Sequence, residues 1–227
     1  AYEGLAPETV VLYGTEPQAV VIEEFGVKFL VDPVRGQKTG FFMDQKENRR
    51  RFGHLAAGKT CLDTFAYSGA WGLHALAQGA ASCTFVDSSA EACDLVRENL
   101  RLNGLAGEVI KANVFDYLRE TAALPEAVVL DPPAFAKTKK DIPKAAKAYT
   151  DINRIALKKM PAGGLLATSS CSFHMAQEHF YACLGEAALQ ARVPVTLLGW
   201  GRQALDHPVL LNFPESLYLK TLFVRKG

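Results

Sequence analysis

The chain has 227 residues, 49% of them apolar and 22% charged, enough to bury a full core and within the range of one α/β domain with a small appendage. With 25 Lys and Arg against 24 Asp and Glu the net charge is +1, so any polyanion must be met by a local patch and not by a global field. Five cysteines, Cys61, Cys83, Cys93, Cys171 and Cys183, show neither CxxC nor Cys/His ligand spacing, which argues against a disulfide framework and a metal site and for reduced thiols in a cytoplasmic protein. No apolar run approaches the ~20 residues of a membrane span, and no signal-peptide pattern opens the chain. It begins Ala-Tyr-Glu-Gly without a methionine, as a fragment of a longer protein would.

In chain order, "AVVIEEFGVKFLVD" predicts two strands, Ala19 to Glu23 and Val27 to Val31, joined by a turn at Gly26, and "KTGFFMDQ" predicts a further strand. The periodicity changes near residue 53, which sets an expected boundary between a β-rich module, 1–52, and a larger domain, 53–227. Strand and helix patterns then alternate: a strand at Cys61, a helix from Gly69 to Gln78, strand Thr84 to Val86, helix Ala90 to Leu102 and strand Val109 to Ile110. Helix Val114 to Glu120, strand Val128 to Leu130, helix Ala145 to Lys159 and strand Leu165 to Thr168 continue the series. Helix Gln177 to Leu189 and strands Val195 to Leu198 and Leu217 to Val224 complete it. Such alternation predicts a doubly wound, largely parallel α/β sheet.

Ligands of such sheets sit outside the carboxyl ends of the strands. The first strand of the alternation ends at Asp63 and runs on as "DTFAYSGAWG", with Gly69 and Gly72 where the chain turns into a helix. The next ends at Asp87, 24 residues later, an offset at which a carboxylate accepts hydrogen bonds from ribose hydroxyls. Ser88 and Glu91 form an expected capping box. A nicotinamide or flavin dinucleotide is the alternative, but the GxGxxG loop is absent and the turn is filled with bulky residues. Asp63 would repel a pyrophosphate and pair with an ammonium, and S-adenosylmethionine carries an ammonium and no phosphate. Asn113, after the third strand, is placed either to cap a helix or to meet the adenine amino group.

The fourth strand ends at Asp131-Pro132-Pro133. The prolines stiffen the exit and leave carbonyls free toward the cleft, a seat for a planar substrate. Enzymes that methylate exocyclic amines use a similar loop with an aromatic residue directly after the prolines; here Ala134 stands there and Phe135 follows. "LLATSSCSFHM" carries Cys171 at the carboxyl end of the fifth strand, whereas the other cysteines lie within strands or helices. Carbon 5 of a pyrimidine is too weak a nucleophile to take a methyl group directly; a thiolate added to carbon 6 activates it. Cys171 is the expected nucleophile, with Asp131 hydrogen-bonding the ring.

Taken in order, "GVKFLVDPVRGQKTGFFMDQKENRR", "DTFAYSGAWGLHAL", "VDSSAEACDLVRENLRLNG", "DPPAFAKTKKDI", "YTDINRIALKKMPAGGLLATSSCS" and "DHPVLLNFPESLYLK" resemble the class I methyltransferases that make 5-methylcytosine in bacterial large-subunit ribosomal RNA. The resemblance implies a Rossmann-like fold with a doubly wound, mostly parallel seven-stranded sheet preceded by a β-hairpin module, and an RNA-binding PUA domain further N-terminal that this chain lacks. It implies S-adenosylmethionine as cofactor and Gln45, Arg49, Asp63, Phe65, Ser68, Gly69, Asp87, Asn113 and Asp131 as its surroundings, with Asp131 and Cys171 carrying chemistry. Asn113 stands where an aspartate is usual, and Ala134 means the loop has no second cysteine to release product, so another base must do so.

Pro132, Pro133 and Phe135 are expected at the substrate, with Lys137, Lys139 and Lys140 on RNA phosphates, extended by Lys144 and Lys147. Lys46, Arg49, Arg50 and Arg51 form a second expected basic patch, and Phe135 or Phe173 a stacking surface for a flipped base. His74 and His207 are given no role. The partner class is large-subunit ribosomal RNA, with no membrane; a homodimer is one option for the oligomeric state. The rival readings are a ribosomal RNA guanine methyltransferase without covalent catalysis and a non-catalytic domain that binds S-adenosylmethionine and RNA.

Overall fold

Val20–Glu24 (β1) and Val27–Val31 (β2) pair antiparallel in register Val20↔Val31 to Glu24↔Val27. The turn needs two left-handed residues, Phe25 (φ 49°) and Gly26 (φ 83°), the geometry whose twist matches a hairpin. The computed structural model in which this is seen describes residues 11–16, 18–37 and 39–227. Residues 1–10 and Lys38, which the expected β-rich module and the "KTGFFMDQ" strand include, lie outside the described residues.

"KTGFFMDQ" forms no strand over its described residues: Met43–Gln45 is a single 3-10 turn leading into helix α1, Lys46–Leu55. Its aromatic content serves tertiary packing, with Phe41 buried at 4.9 Å from Phe29 of β2. The expected boundary after residue 52 falls inside α1. Val27, Phe29 and Val31 pack in one apolar cluster with Phe52 of α1 and with Trp71 and Leu73 of α2, Ala70–Ala77.

The remaining elements are β3 (Thr60–Thr64), β4 (Ser82–Asp87), α3 (Ala90–Leu102), β5 (Glu108–Lys111), α4 (Val114–Glu120), β6 (Ala127–Leu130), α5 (Ile142–Lys159), β7 (Leu165–Ser170), α6 (Gln177–Ala191), β8 (Val195–Gly201) and β9 (Lys220–Lys226). They make a seven-stranded sheet in the order β5-β4-β3-β6-β7-β9-β8, parallel from β5 to β7, with β9 antiparallel between β7 and β8. This is the doubly wound, largely parallel sheet that the alternation predicts, in the Rossmann-like seven-stranded form that the resemblance implies. Period-two burial feeds two cores: Val128 and Leu130 of β6 join one face, Ala127 and Val129 the other.

Three local expectations are corrected. The N-cap of α3 is Ser89, whose side chain accepts from Ala92 N at 3.1 Å, and not Ser88. Helix α5 starts at Ile142, three residues early, because Pro143 sits in its first turn where a missing N–H costs nothing. The last strand starts at Lys220 and not at Leu217, since a 3-10 turn at 214–216 delays its entry into the sheet.

Candidate active site

Strand order reverses between β3 and β6, and their register pairs Thr64 with Leu130, so the chain leaving Asp63 and the chain entering Asp131 emerge side by side. Asp63 is 1% exposed. One carboxylate oxygen accepts Gly72 N at 2.9 Å, while Oδ1 is buried with no hydrogen-bond partner. Burial pushes this carboxyl up to about 8, aided by the charges of Asp131 and Asp87 and opposed by the Gly72 N–H.

The loop after β3 is bent hard. Phe65 (φ 55°), Tyr67 (φ 48°) and Gly69 (φ 72°) all lie in the left-handed region, which costs a non-glycine residue about 1 kcal/mol or more. Surrounding contacts hold it: Asp87 accepts Tyr67 N at 2.9 Å, Tyr67 Oη donates to the Gly40 carbonyl at 3.1 Å, and Asn99 of α3 donates to the Ser68 carbonyl at 2.9 Å. Asn99 also accepts Leu30 N at 2.7 Å, which ties the hairpin to this loop. A Cβ on Gly72 would lie 2.3 Å from Phe85 Cε1 and 2.6 Å from Cys83 Sγ, so only glycine lets α2 sit this close to β4.

Asp131 is held from two sides. Trp71 Nε1 donates to it at 2.9 Å, and Gln45 Nε2 donates at 3.1 and 3.2 Å, its own Oε1 accepting from Asn48 at 2.6 Å. Burial raises the Asp131 carboxyl to about 6; the Trp71 bond, Arg49 and the Gln45 bond hold it from going further, and Asp44 works against them. Pro132 is buried and Pro133 exposed. Phe135 turns inward, 4.7 Å from Tyr149 and 5.9 Å from Phe115, which in turn meets Phe65 edge-on at 6.0 Å. Ser172 Oγ accepts Ala136 N at 3.2 Å, linking the loop after β6 to the loop after β7.

Cys171 follows β7 directly and is half-buried, while Cys61, Cys83, Cys93 and Cys183 are buried. Burial pushes those four thiols up, Cys61 to about 12. Beside Cys171 stand Lys220, 3% exposed, and Tyr218, which donates to Asp44 at 2.7 Å.

The fold thus draws Gln45, Asp63, Phe65, Ser68, Gly69, Asp87 and Asp131 to neighbouring strand ends and loops. It treats others differently. Arg49 is 2% exposed and donates to both oxygens of Glu24, at 2.9 and 2.6 Å, and to the Phe42 carbonyl at 2.9 Å. Asn113 caps α4, accepting Phe115 N at 2.9 Å and Asp116 N at 3.3 Å. Lys137, Lys139 and Lys140 are exposed, in a segment pinned by a Thr138–Asp141 capping box.

Sequence reasoning missed two residues. Trp71 reads as one more apolar helix residue, and Lys220 as one polar residue inside the expected strand Leu217 to Val224. The only signal for either was placement, Trp71 in the first turn of the helix after the site loop and Lys220 at the end of the block "LYLK".

The family model for the S-adenosylmethionine-dependent methyltransferases matches residues 7–180. The chain belongs to this family. Among curated relatives of this methyltransferase, ribosomal RNA large subunit methyltransferase I of Shewanella denitrificans is 41% identical and that of Aeromonas salmonicida 42% identical, each over 98% of this chain. The chain spans 58% of the length of those relatives. The crystal structure of SMU.776, solved complexed with SAH, matches with a TM-score of 0.84 at 28% identity, covering 94% of this chain and 58% of that one. Trm5b of Pyrococcus abyssi, with a TM-score of 0.67 at 18% identity over 95% of this chain and 58% of that one, shares the fold.

Proposed function

We propose that this methyltransferase acts in the cytoplasm on large-subunit ribosomal RNA and forms 5-methylcytosine through a covalent adduct of Cys171 with carbon 6 of the target base. The observation that carries this reading is that Cys171 alone of the five thiols is both partly accessible and set at the carboxyl end of a central strand. The names of the large-subunit relatives support the RNA class, and an N-terminal PUA domain is the expected owner of part of the length those relatives have beyond this chain.

The site fits S-adenosylmethionine. The buried, unpartnered Oδ1 of Asp63 is what an ammonium would satisfy, and the Phe65–Gly69 loop brings backbone close to the same strand end. Asp63, Phe65, Ser68, Gly69, Asp87 and Asn113 would hold the cofactor, with Gln45 bridging to Asp131 and Arg49 fixing the Phe42 carbonyl from behind. The cofactor supplies an electrophilic methyl group. Cys171 as thiolate adds to carbon 6, which pushes electron density to carbon 5. Asp131, its carboxyl raised by burial, is poised near neutrality to hydrogen-bond the ring nitrogen or exocyclic group as that density shifts. Once carbon 5 carries the methyl group, a general base other than a loop cysteine takes the carbon 5 proton, the 5,6 double bond re-forms and the carbon 6–sulfur bond breaks to release the thiolate. Pro132 and Pro133 give the flipped base a stiff wall, and Lys137, Lys139 and Lys140 meet phosphates. Phe135 is committed to Tyr149 and Phe115, so the exposed Phe173 is the better stacking surface. The likeness to Trm5b carries the fold and no base preference.

Nucleoside mass spectrometry of unmodified large-subunit ribosomal RNA, incubated with S-adenosylmethionine and the full-length protein, tests this. New 5-methylcytosine with wild type and none with Cys171→Ala is the expected result; methylguanosine, or product that survives the substitution, would overturn it.

A further inference from the structure

Lys220 opens β9 and stands across the antiparallel ladder from Ser170, the residue before Cys171. Its Nζ donates at 2.7 Å to the carbonyl of Ser172, the residue after Cys171. The side chain is 3% exposed. A buried ammonium costs several kcal/mol unless an anion compensates it. Burial lowers Lys220 to about 8, and the charge that works against burial there is that of Cys171. Cys171 also acts on two phenols: Tyr218, raised by burial and bonded to Asp44 with Asp206 also acting on it, and Tyr149, raised by burial and bonded to Ser172 Oγ at 3.1 Å.

We propose that Lys220 is the positioning residue of Cys171: its amine takes the thiol proton, so that the cleft holds a thiolate–ammonium pair steadied by the Ser172 carbonyl. One S–H bond breaks and one N–H bond forms, with no other reactant. The pair explains how a half-buried thiol reaches its nucleophilic form, and it rests on Cys171 being the nucleophile of the reaction proposed above. When the adduct collapses, the same ammonium receives the departing thiolate.

The test reads the thiol and not the methylation. Carboxamidomethylation of Cys171 by iodoacetamide, followed by peptide mass spectrometry across roughly pH 6 to 10, gives the midpoint of thiolate formation against the ~8.5 of an ordinary thiol. The expected wild-type midpoint lies about one pH unit below that value, and Lys220→Met, similar in size and uncharged, moves it above, a loss of roughly tenfold in thiolate at neutral pH. An ordinary or raised midpoint in the wild-type protein overturns the proposal whether or not the variant folds, and so does a profile that wild type and a folded Lys220→Met share. Cys171-dependent 5-methylcytosine with an ordinary midpoint would sink the ion pair and leave the covalent reading standing. A lowered midpoint with Cys171-independent product would do the reverse.

Discussion

Lys46, Arg49, Arg50 and Arg51 on α1 and Lys137, Lys139 and Lys140 after β6 read alike in the sequence, as basic patches beside a cleft, and the fold separates them. In the α1 group the side chains are engaged by the fold, although Arg50 stays exposed. Arg49 is chelated by Glu24, Lys46 meets Asp206 at 2.5 Å, and Arg51 donates to the Trp200 and Leu198 carbonyls at 2.9 and 3.0 Å while lying over the Phe223 ring. Arg50 rests on Phe25, 4.7 Å from its centroid. The lysines after the Asp-Pro-Pro loop stay exposed. A basic run becomes structural when another element brings a carboxylate or carbonyls within reach, and those partners lie between 25 and 160 residues away in sequence. Nothing local announces them.

Four measurements sharpen or break this contrast. Glu24→Ala removes the anion that Arg49 and His74 share and leaves a buried guanidinium unpaired, with an expected loss of ~3–5 kcal/mol by urea unfolding. An effect under ~1 kcal/mol would return Arg49 to the RNA-binding group. The same pair sets a pH dependence. Burial alone would raise Glu24, but the His74 hydrogen bond and Arg49 overcome it and hold the carboxyl below its ordinary value of 4.5. The stability it contributes is therefore present above about pH 4.5 and lost as pH falls through the lowered folded value.

Arg51→Met gives up two charged hydrogen bonds, with an expected cost of about 1.5–3 kcal/mol and faster amide exchange in β8, and salt-dependent RNA binding unchanged. Asp63 supplies the third test. With its carboxyl raised to about 8, its contribution to stability is present at low pH and lost as pH rises through that value, whereas an ammonium ligand requires the ionised form. Affinity for S-adenosylmethionine should rise with pH below about 8, approaching tenfold per unit, with proton release seen by calorimetry in buffers of different ionisation enthalpy. A flat profile would detach Asp63 from the ammonium. Lys139→Glu with Lys140→Glu should change stability by no more than ~0.5 kcal/mol. It should also flatten the salt dependence of RNA binding by about 0.7 in log–log slope for each phosphate that the lysines no longer neutralise. An unchanged slope would put that cluster outside the interface.

Helices α3 and α4 were legible almost to the residue because local chemistry bounds them: Asn113 accepts two N–H groups at the start of α4, and Gly104, at φ 62°, follows the end of α3. The strand-end carboxylates Asp63 and Asp131 were legible for the same reason, since a charge terminating an apolar run has few other places to go. "KTGFFMDQ" was not, because Phe41 and Phe42 are apolar for the sake of Phe29, Tyr67 and Arg49 and not for a sheet. Trp71 and Lys220 escaped because their meaning lies in the partner, 60 residues away at Asp131 and 48 away at Ser172. Residue type was visible throughout; pairing across the sheet was not.

The insertion of β9 between β7 and β8 also orders events in time. The five parallel strands and their helices can pair as they leave the ribosome, but β8 has no neighbour in the sheet except β9, so it must wait for a strand made later. Lys220 travels on that late strand. The surroundings of Cys171 are therefore among the last parts of this sheet to assemble, because the Lys220 that faces Ser170 arrives only when β9 closes the ladder.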